Sequence, residues 1–166
     1  MVPRLAPDLA FGRDRRVRKR REFVHTQGEA RRVTTRHYVL LVAAREVRPP
    51  RNPREASKTA PGPARLGVVV TKKVGNAPAR NRVKRVCREC FRQWPDWLPN
   101  GVDLVVIARL GAEALGLAEV RAEWKDVSGL VRSRAEEALA RARAMPHVSG
   151  VAGRGRAPAQ KPRPKP

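Results

Sequence analysis

The run Ala79-Arg80-Asn81-Arg82-Val83-Lys84-Arg85-Val86-Cys87-Arg88-Glu89-Cys90-Phe91 constrains the fold more than any other stretch, because it writes two opposed surfaces onto one short segment. Turned at about 100° per residue, it gathers Val83, Val86, Cys87, Cys90, Phe91 and Trp94 into an apolar stripe roughly 140° wide. Asn81, Arg85, Arg88 and Arg92 lie opposite, Arg82 and Lys84 on the flanks, and Arg80 at the stripe's edge in the first turn. A helix docked by its oily side therefore presents a nearly continuous guanidinium surface, and guanidinium groups grip phosphates bidentately. A run of charge is usually a solvated face laced by salt bridges. Here Glu89 is the only acid between Arg80 and Arg92, so lacing does not account for the pattern. Pro78 fits a first-turn position and Pro95 closes the segment after Trp94.

The charge balance points to a polyanionic partner: 37 Lys and Arg against 15 Asp and Glu give +22 on 166 residues. An anionic membrane surface is the rival polyanion, but it needs an apolar face left free of other protein, and this stripe is flanked by strand-like segments able to cover it. The longest apolar stretches, Val39 to Ala44 and Leu104 to Ala108, fall far short of the roughly 20 helical residues a bilayer requires. The N-terminus lacks the apolar core of a secretory signal, although its Arg-rich, acid-poor start resembles a transit peptide in part; the cytoplasm is the expected compartment. Cys87 and Cys90 form a Cys-x-x-Cys that suggests zinc or thiol exchange, yet His25, His37 and His147 offer no partner spacing. Both sulfurs lie on the oily stripe, so buried reduced thiols are expected.

The chain divides into a flexible N-terminus (1–14), one folded domain (15–145) and a basic Pro-rich tail (146–166) expected to be disordered. Residues 46–64 hold Pro49, Pro50, Pro53, Pro61 and Pro63 with Gly62, which marks a long inserted loop. Around it the pattern predicts a short basic helix from Arg18 to Gln27 ended by Gly28, strands at 37–44, 66–71 and 102–108, and a final helix from Leu117 to about Met145 that Gly129 interrupts. This order gives an α/β sandwich: a small sheet with the Arg-rich helix crossing between the second and third of these strands, its oily stripe against the sheet.

Four blocks together resemble the protein subunit of bacterial ribonuclease P. They are Lys19-Arg20-Arg21-Glu22-Phe23, Arg65-Leu66-Gly67-Val68-Val69-Val70-Thr71-Lys72-Lys73-Val74-Gly75-Asn76-Ala77, the following Ala79 to Arg85, and Asp103-Leu104-Val105-Val106-Ile107-Ala108-Arg109. The resemblance spans roughly residues 11 to 130. It implies a small mixed sheet with a left-handed β-α-β crossover, shared with related ribosomal-protein domains, against the usual right-handed preference. It further implies a protein that binds a large catalytic RNA, monomeric in a 1:1 ribonucleoprotein, and helps remove the 5′ leader of precursor tRNA with Mg²⁺ held mainly by the RNA. By the same resemblance Arg80, Asn81, Arg82, Lys84, Arg85 and Arg88 face the catalytic RNA. A cleft between the first helix and the sheet takes single-stranded leader, with Phe23, Tyr38, Leu41, Lys72 and Lys73 as its residues here; Leu41 stands where many members carry an aromatic. Phe23 and Tyr38 are equally readable as core residues.

The residues themselves supply no paired carboxylates, Ser-His-Asp arrangement or metal-ligand cluster, so no catalytic side chain is expected. Asp103 and Glu22 read as single acids beside structural or basic blocks. Two rival classes share the basic helix, a ribosomal-type RNA-binding protein and a sequence-blind nucleoid protein; an autonomous nuclease is the third.

Overall fold

The structure is a computed structural model in which residues 11–46 and 61–145 are described. The predicted tail (146–166), the first ten residues of the predicted flexible start and residues 47–60 of the inserted loop lie outside them. Among the described residues the chain forms strands β1 (Arg31–Thr34), β2 (Tyr38–Ala44), β3 (Arg65–Val69) and β4 (Val102–Ala108). The helices are α1 (Arg20–Glu29), α2 (Ala77–Arg92), α3 (Leu117–Asp126) and α4 (Ser128–Ala144).

The sheet order is β1-β2-β4-β3, with β3 parallel to β4 and the other neighbours antiparallel. Helix α2 thus connects two adjacent parallel strands, and the expected mixed α/β sandwich is present. Strand β1 was not expected: in Arg31-Arg32-Val33-Thr34 only Val33 is buried, and its pairing with β2 through Val33 opposite Leu40 makes the segment a strand. Helix α1 starts two residues later than its periodicity predicts and carries Gly28 inside its last turn. Its start is fixed by Glu22, whose carboxylate accepts the backbone N–H of Lys19 at 3.0 Å and of Arg18 at 3.2 Å. The final helix breaks at Val127, two residues before Gly129. Residues 11–14, expected to be flexible, belong to a packed strap: Phe11 stands edge-on to Phe91 with ring centroids 6.0 Å apart.

Register decides which side chains share a face. Leu40, Val42, Leu66, Leu104 and Val106 point to one face and are covered by Val83, Cys87, Cys90 and Phe91 of α2, Val120 and Trp124 of α3, and Val131 and Ala135 of α4. Burying Val83 and Phe91 alone contributes about 1.5 to 3 kcal/mol each, so α2 is docked firmly by its apolar stripe. Val86 and Trp94, at the margins of that stripe, are half-buried, and Trp94 stacks on Trp97 at 5.0 Å. Burial pushes the Cys87 thiol up to about 12 and the Cys90 thiol to about 11, leaving both protonated within the core.

The opposite face carries Val39, Leu41, Val105 and Ile107, and α1 lies across it with Phe23. Two layers of helix therefore sandwich one sheet, and each layer leaves a different surface to solvent.

Candidate nucleic-acid interface

Helix α2 is set at a fixed angle by its first turn. Gly75, at φ 156°, turns the chain out of the Lys72–Val74 turn, and Asn76 caps the helix by accepting the Ala79 N–H at 3.0 Å. Pro78 sits in the first turn as predicted. Arg80 is half-buried and donates from Nη1 to the Gly75 carbonyl at 2.8 Å, so it secures the entry turn as well as adding charge. Asn81, Arg82 and Arg85 are exposed and line a 480 Å³ groove with Ala77, Pro78 and Val86. Lys84 and Arg88 are half-buried on its flanks. Anions are favoured at this end twice over, by the cations and by the unsatisfied N–H groups of the helix N-terminus.

Pairing distinguishes this face from the first half of α4. Among the described residues Arg82, Lys84, Arg85 and Arg88 make no ion pair, whereas on α4 Arg132 meets Glu136 at 3.3 Å and Arg134 meets Glu137 at 2.9 Å. Glu89, the single acid of the α2 run, is turned away to Arg92 Nε at 2.8 Å and Gln93 Nε2 at 2.7 Å. Those bonds, Arg92's first, pull its carboxyl down to about 2. The six residues expected from sequence thus share one helix, with Arg80 partly engaged by the backbone.

On the other face the expected cleft residues separate. Phe23 of α1 lies directly over Gly67 of β3, where an added Cβ would meet the ring at 2.6 Å; glycine is required for this close approach. Leu41 is on the same face, 9% exposed beneath α1. Lys72 and Lys73 are exposed in the turn following β3. Tyr38 is a correction: it is fully buried on the opposite face, its ring edge-on to Trp124 at 5.9 Å and its hydroxyl beside Cys87. Strand alternation is the reason, since Tyr38 and Leu41 differ by an odd number of positions and must face opposite ways. The same alternation puts Arg32, which sequence reasoning passed over, on the cleft face opposite Leu41, where it is exposed.

Asp103 and Glu22 also prove to be connected rather than single. Arg65 grips Asp103 bidentately, Nε to Oδ1 at 2.8 Å and Nη2 to Oδ2 at 2.6 Å, while its Nη1 reaches Glu22 at 3.0 Å. Arg45 adds a longer bond to Asp103 at 3.4 Å and donates to the Pro63 carbonyl at 2.6 Å. Asp103 hydrogen bonding raises the pKa of Arg65 further, and burial lowers that of Arg45. This network ties α1 to β3 and β4 and floors a 180 Å³ polar pocket with Arg21, His25 and Glu46.

With this geometry in view, comparison with known proteins is specific. The family model for ribonuclease P matches residues 11–131. The ribonuclease P protein component of Syntrophus aciditrophicus is 33% identical over 112 residues, spanning 68% of this chain and 82% of the relative. That of Desulfovibrio desulfuricans is 38% identical over 114 residues, spanning 67% and 78%. The solved Staphylococcus aureus RNase P protein superposes with a TM-score of 0.57 at 25% identity, over 72% of this chain and 97% of that one. The Thermotoga maritima RNase P protein gives 0.53 at 28% identity, over 68% and 93%.

Proposed function

Because the chain belongs to the ribonuclease P protein family, we propose that the cationic face of α2 is the surface that carries the catalytic RNA of that enzyme. Membership makes the chain a protein component of ribonuclease P, a ribonucleoprotein endoribonuclease that processes the 5′ end of tRNA, and makes ribonuclease P RNA its partner. The observation that carries the interface is the set of cations Arg82, Lys84, Arg85 and Arg88, which form no ion pair among the described residues, beside Arg80 and Asn81. Phosphates and groove edges of a folded RNA are the chemistry such a set recognises.

The 5′ leader of precursor tRNA is assigned to the α1 side of the sheet, with Phe23 as the stacking aromatic and Lys72, Lys73 and Arg32 as phosphate contacts. Leu41 supports the floor of that cleft. The protein supplies no nucleophile in this proposal. Glu22 and Asp103 are engaged by arginines, and among the described residues no three His, Cys, Asp or Glu side chains gather as a ligand set, which supports placing the metal on the RNA. Mg²⁺ and the hydrolytic chemistry are assigned to the RNA. One protein per RNA, in the cytoplasm, completes the proposal; the buried protonated thiols of Cys87 and Cys90 suit a reducing compartment.

The test compares precursor-tRNA cleavage at low Mg²⁺ by bacterial ribonuclease P RNA alone, the protein alone and the mixture. Cleavage at the mature 5′ end by the mixture only is expected, and cleavage by the protein alone would overturn the assignment of chemistry. Replacing Arg82 and Arg85 together by Ala is expected to weaken RNA binding and to lower the slope of log K against log salt by roughly 0.7 to 0.9 per lost phosphate contact. An unchanged slope would remove α2 from the interface.

A further inference from the structure

The two described ends of the inserted loop leave the sheet at one fixed point. Gly101, the residue before β4, donates its N–H to the Gly62 carbonyl at 2.9 Å and accepts the Arg45 N–H at 2.8 Å. Pro61 closes on the same residue, where an added Cβ would meet the proline Cβ at 2.9 Å. Arg45 completes this stem with its side chain, Nη2 donating to the Pro63 carbonyl at 2.6 Å and Nε to Asp103 Oδ1 at 3.4 Å. The stem of the loop and the start of β4 are thereby one unit.

Helix α1 is tied to this unit twice. Glu22 reaches it through Arg65, which grips Asp103 bidentately. His25 reaches it directly, its Nε2 donating to the carbonyl of Ala44, the residue before Arg45, at 3.3 Å. Glu22 and His25 are three positions apart and therefore lie on one side of the helix. Two ties one turn apart fix how far a helix is rolled about its axis, which a single tie does not. Phe23 follows Glu22 at about 100° around the helix, so the same roll decides whether its ring lies over Gly67, where the 2.6 Å left for a Cβ allows no slack. Arg65 alone neutralises Asp103 with two bonds. What Arg45 adds is the bridge from that carboxylate to the stem.

We infer that Arg45 and His25 are positioning residues for the 5′ leader: they lock α1 to the stem of the inserted loop and so set the roll that presents Phe23. The inference rests on the leader cleft proposed above, and in this assignment neither side chain contacts the leader itself.

The experiment uses the full chain assembled with ribonuclease P RNA at saturating protein, and compares the affinity for precursor tRNA with that for the same tRNA lacking its leader. The ratio isolates the leader's contribution. Arg45→Met and His25→Leu are each expected to lower it about three- to tenfold, as changes along a bonded network do, while the affinity for leaderless tRNA holds. Arg45→Lys is expected to fall as far as Arg45→Met, because one ammonium does not reproduce the guanidinium fork that serves Asp103 and the Pro63 carbonyl together. Phe23→Ala is the reference, and combining it with Arg45→Met is expected to lose no more than Phe23→Ala alone, since both act through one ring. Full retention by Arg45→Lys, or multiplicative losses in the double variant, would show Arg45 acting on the leader by its charge and overturn the positioning role. If Phe23→Ala lowers the ratio and the Arg45 and His25 variants leave it unchanged, the inference falls while the cleft stands. If Phe23→Ala is itself silent, the cleft fails and the inference with it. His25→Leu removes a single half-buried bond, and it carries the same test if Arg45→Met melts below the assay temperature.

Discussion

Replacing Asp103 by Asn tests whether the Arg65 network holds the first helix to the sheet. Asp103 is 2% exposed and accepts two short bonds from Arg65 and a longer one from Arg45. The variant keeps the volume but removes the charge and turns an amide N–H₂ toward a guanidinium. Removing one partner of a buried ion pair costs about 3 to 5 kcal/mol, because the other charge is left buried and uncompensated. The Arg65 and Arg45 side chains keep 15% and 21% of their exposure, so the lower end, about 3 kcal/mol, applies. For a domain of this size that corresponds to a melting temperature lower by about 10 °C. The loss should also have a functional signature. Arg65 is the link from Asp103 to Glu22, and Glu22 sits next to Phe23 in α1, so loosening the link should weaken leader binding more than binding of the catalytic RNA on α2. Thermal denaturation and two separate titrations read both effects. A melting temperature within 2 °C of the parent would refute the reasoning, since it would mean the bidentate pair contributes nothing that water does not replace.

Three further outcomes follow from single positions. Gly67→Ala places a Cβ 2.6 Å from Phe23 and 3.2 Å from the Val17 Cβ, and the displacement should cost about 1 to 3 kcal/mol and lower leader affinity while binding of the catalytic RNA is retained; unchanged leader affinity would remove Phe23 from the cleft. Tyr38→Phe should leave leader affinity unchanged and stability within about 1 kcal/mol, since the hydroxyl is enclosed beside Cys87; loss of leader binding would restore Tyr38 to the cleft. Burial pushes the Glu22 carboxyl up, but the N–H groups of Lys19 and Arg18 and the Arg65 guanidinium outweigh it and hold the pKa below 4.5. A depressed carboxyl contributes stability that is complete above its unfolded value and lost as pH falls, so melting temperature should decline below about pH 4.5 and decline less steeply in Glu22→Gln; equal slopes would exclude Glu22 as a source.

What the sequence made legible was whatever a single periodicity controls. The two faces of α2 are separable because Val83, Cys87, Cys90 and Phe91 recur at helical spacing while the arginines fill the remainder, and β2 and β4 are readable because both are apolar nearly throughout. Strand β1 was not, because Arg31-Arg32-Val33-Thr34 has one buried residue and becomes a strand only through its pairing with β2. Tyr38 was misplaced for a related reason: β2 is buried on both faces, so hydrophobicity does not say which face each residue takes, and only register does. Likewise Arg65, Asp103 and Glu22 are 38 and 81 positions apart at most in sequence terms, from Arg65 to Asp103 and from Glu22 to Asp103, and become one network only when β3 and β4 pair in parallel. Arg15 and Arg16 stood at the edge of the predicted domain without a role, because nothing in their own neighbourhood announces the rings of Phe91 and Phe11 over which they lie.

The contrast between α2 and α4 separates binding charge from solubilising charge. Both helices carry several arginines, and if these served only to keep a basic protein soluble, both would be partnered alike. On α4, Glu136 stands four positions from Arg132 and Glu137 three from Arg134, and they neutralise these two arginines within the helix. On α2 the positions that would do the same for Arg82 and Arg85 hold Val86, Arg88 and Glu89, and Glu89 turns to Arg92. Like charges at such spacings each destabilise a helix by about 0.2 to 0.5 kcal/mol. The apolar stripe offsets that repulsion, because its docking is worth several times as much. The free protein therefore holds a repulsive face together by its own core, and the RNA phosphate backbone proposed for this face would turn the same repulsion into affinity, releasing counterions as each cation is matched.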